Sequence, residues 1–148
     1  MKSLTPNLMV EDVNATAAFY EQLFDFQLVT SVPDMSAPDS GRWQFAMLQH
    51  SGIVIMFQNR ATLVADIPEL DHAKTGGTFT LYFNVKDVRG LFKKVKSRVR
   101  IIGDGLTETF YGTLEFTCAD SNGYILTFAQ EENWQMQEHF YGEQASED

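Results

Sequence analysis

The chain has 148 residues, of which 44% are hydrophobic and 21% are charged, and this composition excludes intrinsic disorder. Its 20 acidic residues outweigh 11 basic ones, so the formal charge of −9 argues against nucleic acid or an anionic membrane surface as a partner. No segment has the apolar length of a membrane span or the pattern of a secretory signal, which predicts a cytoplasmic protein.

The first half of the chain shows patterns typical of strands and of one helix. Apolar residues at Leu8 and Val10 favour a strand, and Asp12 then offers the N-cap of a helix with apolar residues at helical spacing. Turn residues around Gly52 separate two further apolar runs, which predicts a hairpin. The predicted elements are a strand over residues 4–10, a helix over 15–24, and strands over 26–32, 43–49 and 53–58.

The second half repeats this order. Asp87 offers the N-cap of its helix, and Asp120-Ser121-Asn122-Gly123 is a strong turn signal between two strands. The glycine-rich segment 103–112 is predicted to be a loop. The predicted elements are a strand over residues 79–85, a helix over 88–97, strands over 98–102, 113–118 and 124–130, and a short terminal helix over 133–141.

A short motif recurs 75 residues apart: Val10-Glu11-Asp12-Val13 corresponds to Val85-Lys86-Asp87-Val88, a strand end followed by a capped helix. Each such unit leaves one sheet face open, and two units side by side form a cleft. The sequence therefore predicts an α+β fold of two tandem βαβββ modules that form a curved, cleft-bearing mixed sheet with helices on the outer face. We expect a single domain over residues 1–132, with module one at 3–60, a connector at 61–77, module two at 78–132, and an acidic C-terminal tail over 133–148.

The charges are distributed unevenly along the chain. Six acidic residues and no Lys or Arg lie between Glu131 and Asp148, whereas residues 86–100 hold seven basic residues and one acid, Asp87. The basic stretch is interpreted either as the solvated face of the second helix or as a surface on which the acidic tail docks.

Motifs at both ends of the first 130 residues resemble one known family. Pro6-Asn7-Leu8 and the segment 15–23 look much like the opening of the bleomycin-binding proteins, and Tyr111-Gly112 with the turn at 120–124 resembles that family's closing pattern. The chain is thus similar to the vicinal oxygen chelate superfamily, which includes glyoxalase I, extradiol dioxygenases and bleomycin-resistance proteins. The resemblance implies the paired βαβββ architecture, while one such scaffold hosts many chemistries.

Members of this superfamily that use a metal place His or Glu at four cleft positions, one on each of four strands. Carried over by the resemblance, those positions are Thr5, Met56, Thr80 and Thr127. Three hydroxyls and a thioether do not form a credible divalent site, so we expect no metal and no other cofactor. The only cysteine, Cys118, is interpreted as a buried core thiol. The three histidines fall outside the predicted cleft strands, at His50, His72 and His139.

Aromatic and uncharged polar residues remain as candidates for ligand contacts. Phe110 and Tyr111 stand out because they lie in a loop bounded by glycines, and loops often carry function. Glu115 shares a strand face with Thr113 and Thr117, so it points either into the cleft, towards a cationic ligand, or into solvent. No catalytic residue is assigned. The predicted ligand-binding residues are Thr5, Asn7, Trp43, Phe45, Met56, Thr80, Tyr82, Phe110, Tyr111, Glu115 and Thr127.

The residues and the resemblance leave three functions open. The first, which we favour, is a metal-free protein of the bleomycin-resistance type that sequesters a small aromatic or cationic molecule in the cleft of a homodimer and so gives antibiotic resistance. The second is a lyase, isomerase or dioxygenase of the same superfamily that uses an unrecognised site. The third is a structural or regulatory protein that contacts a partner protein through its acidic tail. None of these identifies the ligand.

Overall fold

The structure is a computed structural model that describes residues 1–132. The chain divides into two compact units, Met1–Gly76 and Gly77–Asp148. Each unit contains one four-stranded mixed sheet, and three α-helices lie among the described residues. The predicted α+β class and the two tandem βαβββ modules are therefore confirmed. The predicted terminal helix at 133–141 and the acidic tail lie outside the described residues.

The first unit contains four strands, two helices and a 3₁₀ turn, namely β1 (Asn7–Val10), α1 (Val13–Phe24), β2 (Gln27–Pro33), β3 (Trp43–His50), β4 (Ile53–Asn59), α2 (Arg60–Asp66) and the turn Pro68–Leu70. The strand order is β1-β4-β3-β2, with β1 parallel to β4 and the other pairs antiparallel. Since β1 begins at Asn7 and not at the predicted residue 4, Thr5 lies outside the strand.

One face of the first sheet forms a core with α1. Leu8, Leu48 and Phe57 point to this face and are buried. The ring of Tyr20 on α1 packs against Phe57, with 5.0 Å between the ring centroids. The opposite face carries half-exposed side chains such as Met56, so this face is open within the unit.

The connector contains a helix, α2, that the sequence did not predict. Asn59 caps it, because its side-chain oxygen accepts a hydrogen bond from the backbone N–H of Thr62 at 3.0 Å. The guanidinium of Arg60 then fixes the position of the connector, because it donates to the carbonyl of Ala73 at 2.7 Å and to the carboxylate of Glu11 at 3.1 Å. Seven residues form only about two helical turns, and so short a segment shows no clear helical period in the sequence.

The second unit contains β5 (Thr80–Asn84), α3 (Val88–Val95), β6 (Arg100–Glu108), β7 (Thr113–Ala119) and β8 (Ile125–Glu131). The strand order is β5-β8-β7-β6, with β5 parallel to β8 and the other pairs antiparallel. This order and these directions match those of the first sheet, so the sequence repeat is also a structural repeat. Three stacked or tilted aromatic contacts fill the core beneath α3, joining Phe83 to Phe128, Phe128 to Phe116, and Phe116 to Phe92.

Both aspartates predicted as N-caps are confirmed, although α1 begins at Val13, two residues before the predicted start. The carboxylate of Asp12 accepts from the backbone N–H of Ala15 at 3.0 Å, and that of Asp87 accepts from Gly90 at 3.0 Å. The predicted turn at Asp120 is confirmed as well, since its carboxylate accepts two backbone N–H bonds within the turn. Within residues 1–132, no helix has the length and apolar character needed to cross a membrane.

The loop predicted over residues 103–112 is wrong in its first part, because β6 continues to Glu108. Gly103 and Gly105 have φ angles of 79° and 83°, and the pairing of β6 with β7 is irregular around them. These glycines therefore form a bulge in an edge strand and do not end it. A bulge and a loop share the same glycine signal, so the sequence alone does not distinguish them.

Candidate functional site

The open face of the second sheet is the side that is not packed against α3. Because side chains alternate along a strand, the residues between the core positions point to this face. Its register aligns Tyr82 with Thr127 and Thr117, and aligns Asn84 with Ala129 and Glu115. Tyr82 and Glu115 therefore lie on the same face, on strands separated by β8.

A carboxylate on this face accepts hydrogen bonds from three hydroxyl groups. Glu115 Oε1 accepts hydrogen bonds from the hydroxyl of Tyr82, from the hydroxyl of Tyr111 at 2.8 Å, and from the hydroxyl of Thr113 at 2.8 Å. An ionised carboxylate is an acceptor only, and each of these hydroxyls has one proton to donate. Charge-assisted bonds of this kind are stronger than neutral ones, so they fix the carboxylate in place.

A fifth residue, Thr109, contacts the carboxylate indirectly, through Thr113. Thr113 is buried, and its hydroxyl lies 2.7 Å from that of Thr109. Because the proton of Thr113 goes to Glu115, Thr109 is the donor in this pair. The backbone N–H of Thr113 donates in turn to the Thr109 hydroxyl at 3.1 Å. We call Thr109, Thr113, Glu115, Tyr82 and Tyr111 the Glu115 cluster.

The bond between Tyr82 and Glu115 crosses an entire strand. Their strands, β5 and β7, are separated by β8 and so lie about 10 Å apart. The tyrosine side chain must therefore extend over β8, towards the level of Ala129. Ala129 is fully buried although it faces the open side of the sheet, which fits a ring lying above it. Tyr82 itself is 49% exposed, so the ring offers an aromatic surface to solvent.

The surroundings of both phenols keep them protonated. Burial, followed by the hydrogen bond to Glu115, raises the pKa of Tyr82 well above its usual value. The same two causes raise the pKa of Tyr111. Both hydroxyls therefore remain donors to Glu115 throughout the neutral range.

An exposed aromatic ring borders the cluster. Phe110 is 77% exposed and packs edge-on against Tyr111, with 5.0 Å between the ring centroids. A depression of about 330 Å³ lies where β5 and β8 end, and it is lined by Asn84, Val85, Lys86, Ala129, Gln130 and Glu131 and by no member of the Glu115 cluster. The open face of the second sheet thus combines a carboxylate with aromatic rings.

Other predicted site residues lie in the first unit. The side-chain amide of Asn7 donates to that of Gln58 at 3.0 Å, and Met56 pairs with both Asn7 and Met47 across the sheet. Phe45 pairs with Gln58 on the same face, and Trp43 is half-buried at the start of β3. These residues are brought together within the first unit, whereas Tyr82, Tyr111, Glu115 and Thr127 are brought together within the second.

The residues present do not fit a divalent metal. The parallel strand pairs place Asn7 beside Met56 and Tyr82 beside Thr127, so Thr5 and Thr80 each lie two residues away from the expected pairing. An amide, a thioether, a phenol and a hydroxyl remain, and the hydroxyl of Thr127 is bonded to that of Thr117 at 2.9 Å. Among residues 1–132, no three His, Cys, Asp or Glu side chains form a group that could hold a metal.

The cysteine is not a member of the Glu115 cluster, and the two histidines of the described chain belong to the first unit. Cys118 is fully buried in the core of the second unit, and burial raises the pKa of its thiol to about 12. A thiol in this setting is a poor nucleophile, because the thiolate is the reactive form. His50 and His72 are exposed, and His139 lies outside the described residues.

Two members of the cluster were not predicted from the sequence. Thr113 was placed on the same strand face as Glu115, and that alternation was the available signal for its contact with the carboxylate. Thr109 lies in the segment assigned to a loop, where the sequence has no periodic pattern that places its side chain.

Comparisons with known proteins agree with this architecture. A model of the Glyoxalase/Bleomycin resistance protein/Dioxygenase superfamily matches residues 3–128. No curated protein matches the chain. A solved structure of a protein of unknown function from Agrobacterium tumefaciens is 20% identical, covering 88% of this chain and 94% of that one, with a TM-score of 0.70.

Two further solved structures are similar over most of their length. A glyoxalase/bleomycin resistance protein/dioxygenase family enzyme from Burkholderia phytofirmans PsJN is 21% identical, covering 86% of this chain and 96% of that one, with a TM-score of 0.67. The fosfomycin resistance protein FosX from Listeria monocytogenes, complexed with Mn(II) and a sulfate ion, is 14% identical, covering 95% and 98%, with a TM-score of 0.65. At these identities the likeness shows the fold alone.

Proposed function

The chain belongs to the glyoxalase/bleomycin resistance protein/dioxygenase superfamily, and we propose that within it this protein binds a planar, positively charged small molecule without a metal. The observation that carries the proposal is Glu115, a carboxylate held by three hydroxyl donors on an open sheet face. The ligand stacks on the exposed ring of Tyr82 and directs its cationic group to Glu115.

The geometry of the carboxylate favours binding of a cation. All three hydroxyl bonds go to Oε1, and Oε2 accepts no hydrogen bond from any residue of the described chain. The lone pairs of Oε2 are thus available to an N–H donor, which would form a bond worth about 1.5–3 kcal/mol. Contact of the cation with the faces of Tyr82 and Phe110 adds about 0.5–2 kcal/mol, depending on desolvation.

We favour ligand binding over metal-assisted catalysis because of the side chains at the positions that the family uses for a metal. The four positions that the family uses for a metal hold no carboxylate or imidazole in this chain. Sequestration of a drug, as in the bleomycin-resistance type, is the role that fits such a site, and the proposal includes a cytoplasmic homodimer. Light scattering measures the molar mass in solution, which should be that of a dimer. Elemental analysis of protein purified without chelator measures the amount of bound metal. A stoichiometric divalent ion would overturn the metal-free part of the proposal.

The proposal is tested by titrating the protein with bleomycin and with the planar cationic dye thioflavin T, followed by calorimetry. Saturable binding of at least one probe is expected, and E115Q should weaken it about tenfold or more, because the charge-assisted bond is lost. Y82A should weaken binding through loss of the stacking surface. E21Q removes an equal charge from an exposed position on α1 and should leave the affinity unchanged. Equal affinity in E115Q and E21Q, or no saturation by either probe, contradicts the proposal.

A further inference from the structure

One side of α3 carries a row of basic side chains. Arg89, Lys93 and Lys96 are spaced four and three residues apart, and Lys96, which directly follows α3, keeps a helical conformation, so the three lie on successive turns of the same side. Val88 and Val95 anchor the other side of the helix in the core. All three basic residues are exposed, and within residues 1–132 neither Lys93 nor Lys96 forms an ion pair. We call Arg89, Lys93 and Lys96 the basic row.

The chain that follows β8 is anchored at the first member of this row. The guanidinium of Arg89 donates to both carboxylate oxygens of Glu132, with 3.3 Å for the longer of the two bonds. The backbone N–H of Glu132 donates to the carbonyl of Gly112 at 2.8 Å, which fixes the main chain at the same place. The described part of the chain therefore ends, at Glu132, beside the N-terminal end of the basic row.

The sequence after this anchor is complementary in charge to the row. Residues 133–148 contain no Lys or Arg, and their acidic residues are Glu138, Glu143, Glu147 and Asp148. The basic row extends about 10 Å along the helix. The six residues from Glu132 to Glu138 span up to about 20 Å when extended, so the first tail carboxylate can reach Lys93 or Lys96.

We propose that residues 133–148 dock on the basic row of α3 through ion pairs between their carboxylates and Lys93 and Lys96. Glu132 on Arg89 is the first pair of this series and sets its starting point. Because the segment is tethered, its effective concentration at the row is on the order of millimolar, which favours it over a separate acidic molecule. The formal charge of −9 further disfavours nucleic acid as a competitor for the row.

Zero-length carbodiimide crosslinking of the full chain tests the contact directly. Mass spectrometry should identify links from Glu138 or Glu143 to Lys93 or Lys96 at low salt, and these links should disappear in about 1 M salt, where the Debye length is near 3 Å. A mixture of ¹⁴N- and ¹⁵N-labelled protein separates links within one chain from links between copies. Tail links that go to Lys2 or Lys74, or that form only between copies, would overturn the proposal.

A double-mutant cycle measures the coupling. The full-length variants E138Q/E143Q, K93Q/K96Q and their combination are compared with a control pair, K2Q/K74Q, in which both lysines are exposed and outside the row. E138Q/E143Q and K93Q/K96Q should each lower Tm at low salt by up to about 4 °C. The combined variant should lower Tm no further, because both changes remove the same ion pairs. Additive changes, or equal coupling of the tail to the control pair, would refute docking on the row.

Discussion

The two sheets share a strand order and a register but carry different chemistry on their open faces. Register places Tyr82 where the first sheet has Asn7, and Glu115 where it has Phe45. In the first sheet Asn7 reaches only to the adjacent strand, where its amide bonds to Gln58. In the second sheet Tyr82 reaches across a strand to Glu115. The same backbone thus supports two unlike polar arrangements.

A single small residue explains much of this difference. Ala129 holds the register position that Gln58 holds in the first sheet. The side-chain amide of Gln58 is bonded to Asn7, Thr62 and Asp66, whereas the methyl group of Ala129 leaves the space above β8 for the ring of Tyr82. The buried inward-facing residues are apolar in both sheets, and the outward-facing residues distinguish the two sheets.

The largest expected effect concerns what the two sheets share. Phe57 and Phe128 occupy equivalent inward positions and are both buried. Replacing either by Ala should lower the free energy of unfolding by about 3–5 kcal/mol, because the lost contacts leave a cavity. Urea unfolding followed by circular dichroism measures the change. The neighbouring outward substitutions M56A and T127A are the controls, and an equal loss in these would contradict the assignment of the faces.

The second prediction concerns a substitution that makes the open face of the second sheet more like that of the first. A129Q introduces the side chain of the first sheet at the equivalent position of the second, and it should displace Tyr82 from Glu115. Crowding at a fully buried site should also lower the free energy of unfolding by about 1–3 kcal/mol. Binding of the cationic probes should weaken as in Y82A. Retention of full affinity in a folded A129Q protein would show that the ring does not cross β8.

The shared part of this architecture is the part that the sequence predicts. Alternating apolar residues and the caps Asp12 and Asp87 are local signals, and both helices and all eight strands follow from them with shifted ends. The Glu115 cluster is not local, since the bond from Tyr82 joins residues 33 positions apart and depends on sheet register. The bulge at Gly103 and Gly105 has no local signal that separates it from a loop, because its pairing partner lies on another strand.

The third prediction concerns alkaline pH and the second unit. In the folded state burial raises the pKa of Cys118 to about 12, above its ordinary value of about 8.5 when unfolded. The folded state therefore holds this proton more tightly, so the stabilisation is complete below about pH 8.5 and is lost as the pH rises towards 12. Urea unfolding at about pH 7.5 and 10.5 should show a larger decline in wild type than in C118A. Equal declines would indicate that the thiol does not contribute.

The smallest expected effect concerns the N-caps of α1 and α3. It shows whether the two caps contribute equally to stability. Asp12 and Asp87 each accept one backbone N–H bond at 3.0 Å three residues along the chain. Because the bonds match in position and length, D12A and D87A should each lower the free energy of unfolding by about 1 kcal/mol. D39A, at an exposed position in the loop before β3, should have no comparable effect. Unequal losses at the two caps would contradict this equivalence and show that α1 and α3 depend on their caps to different extents.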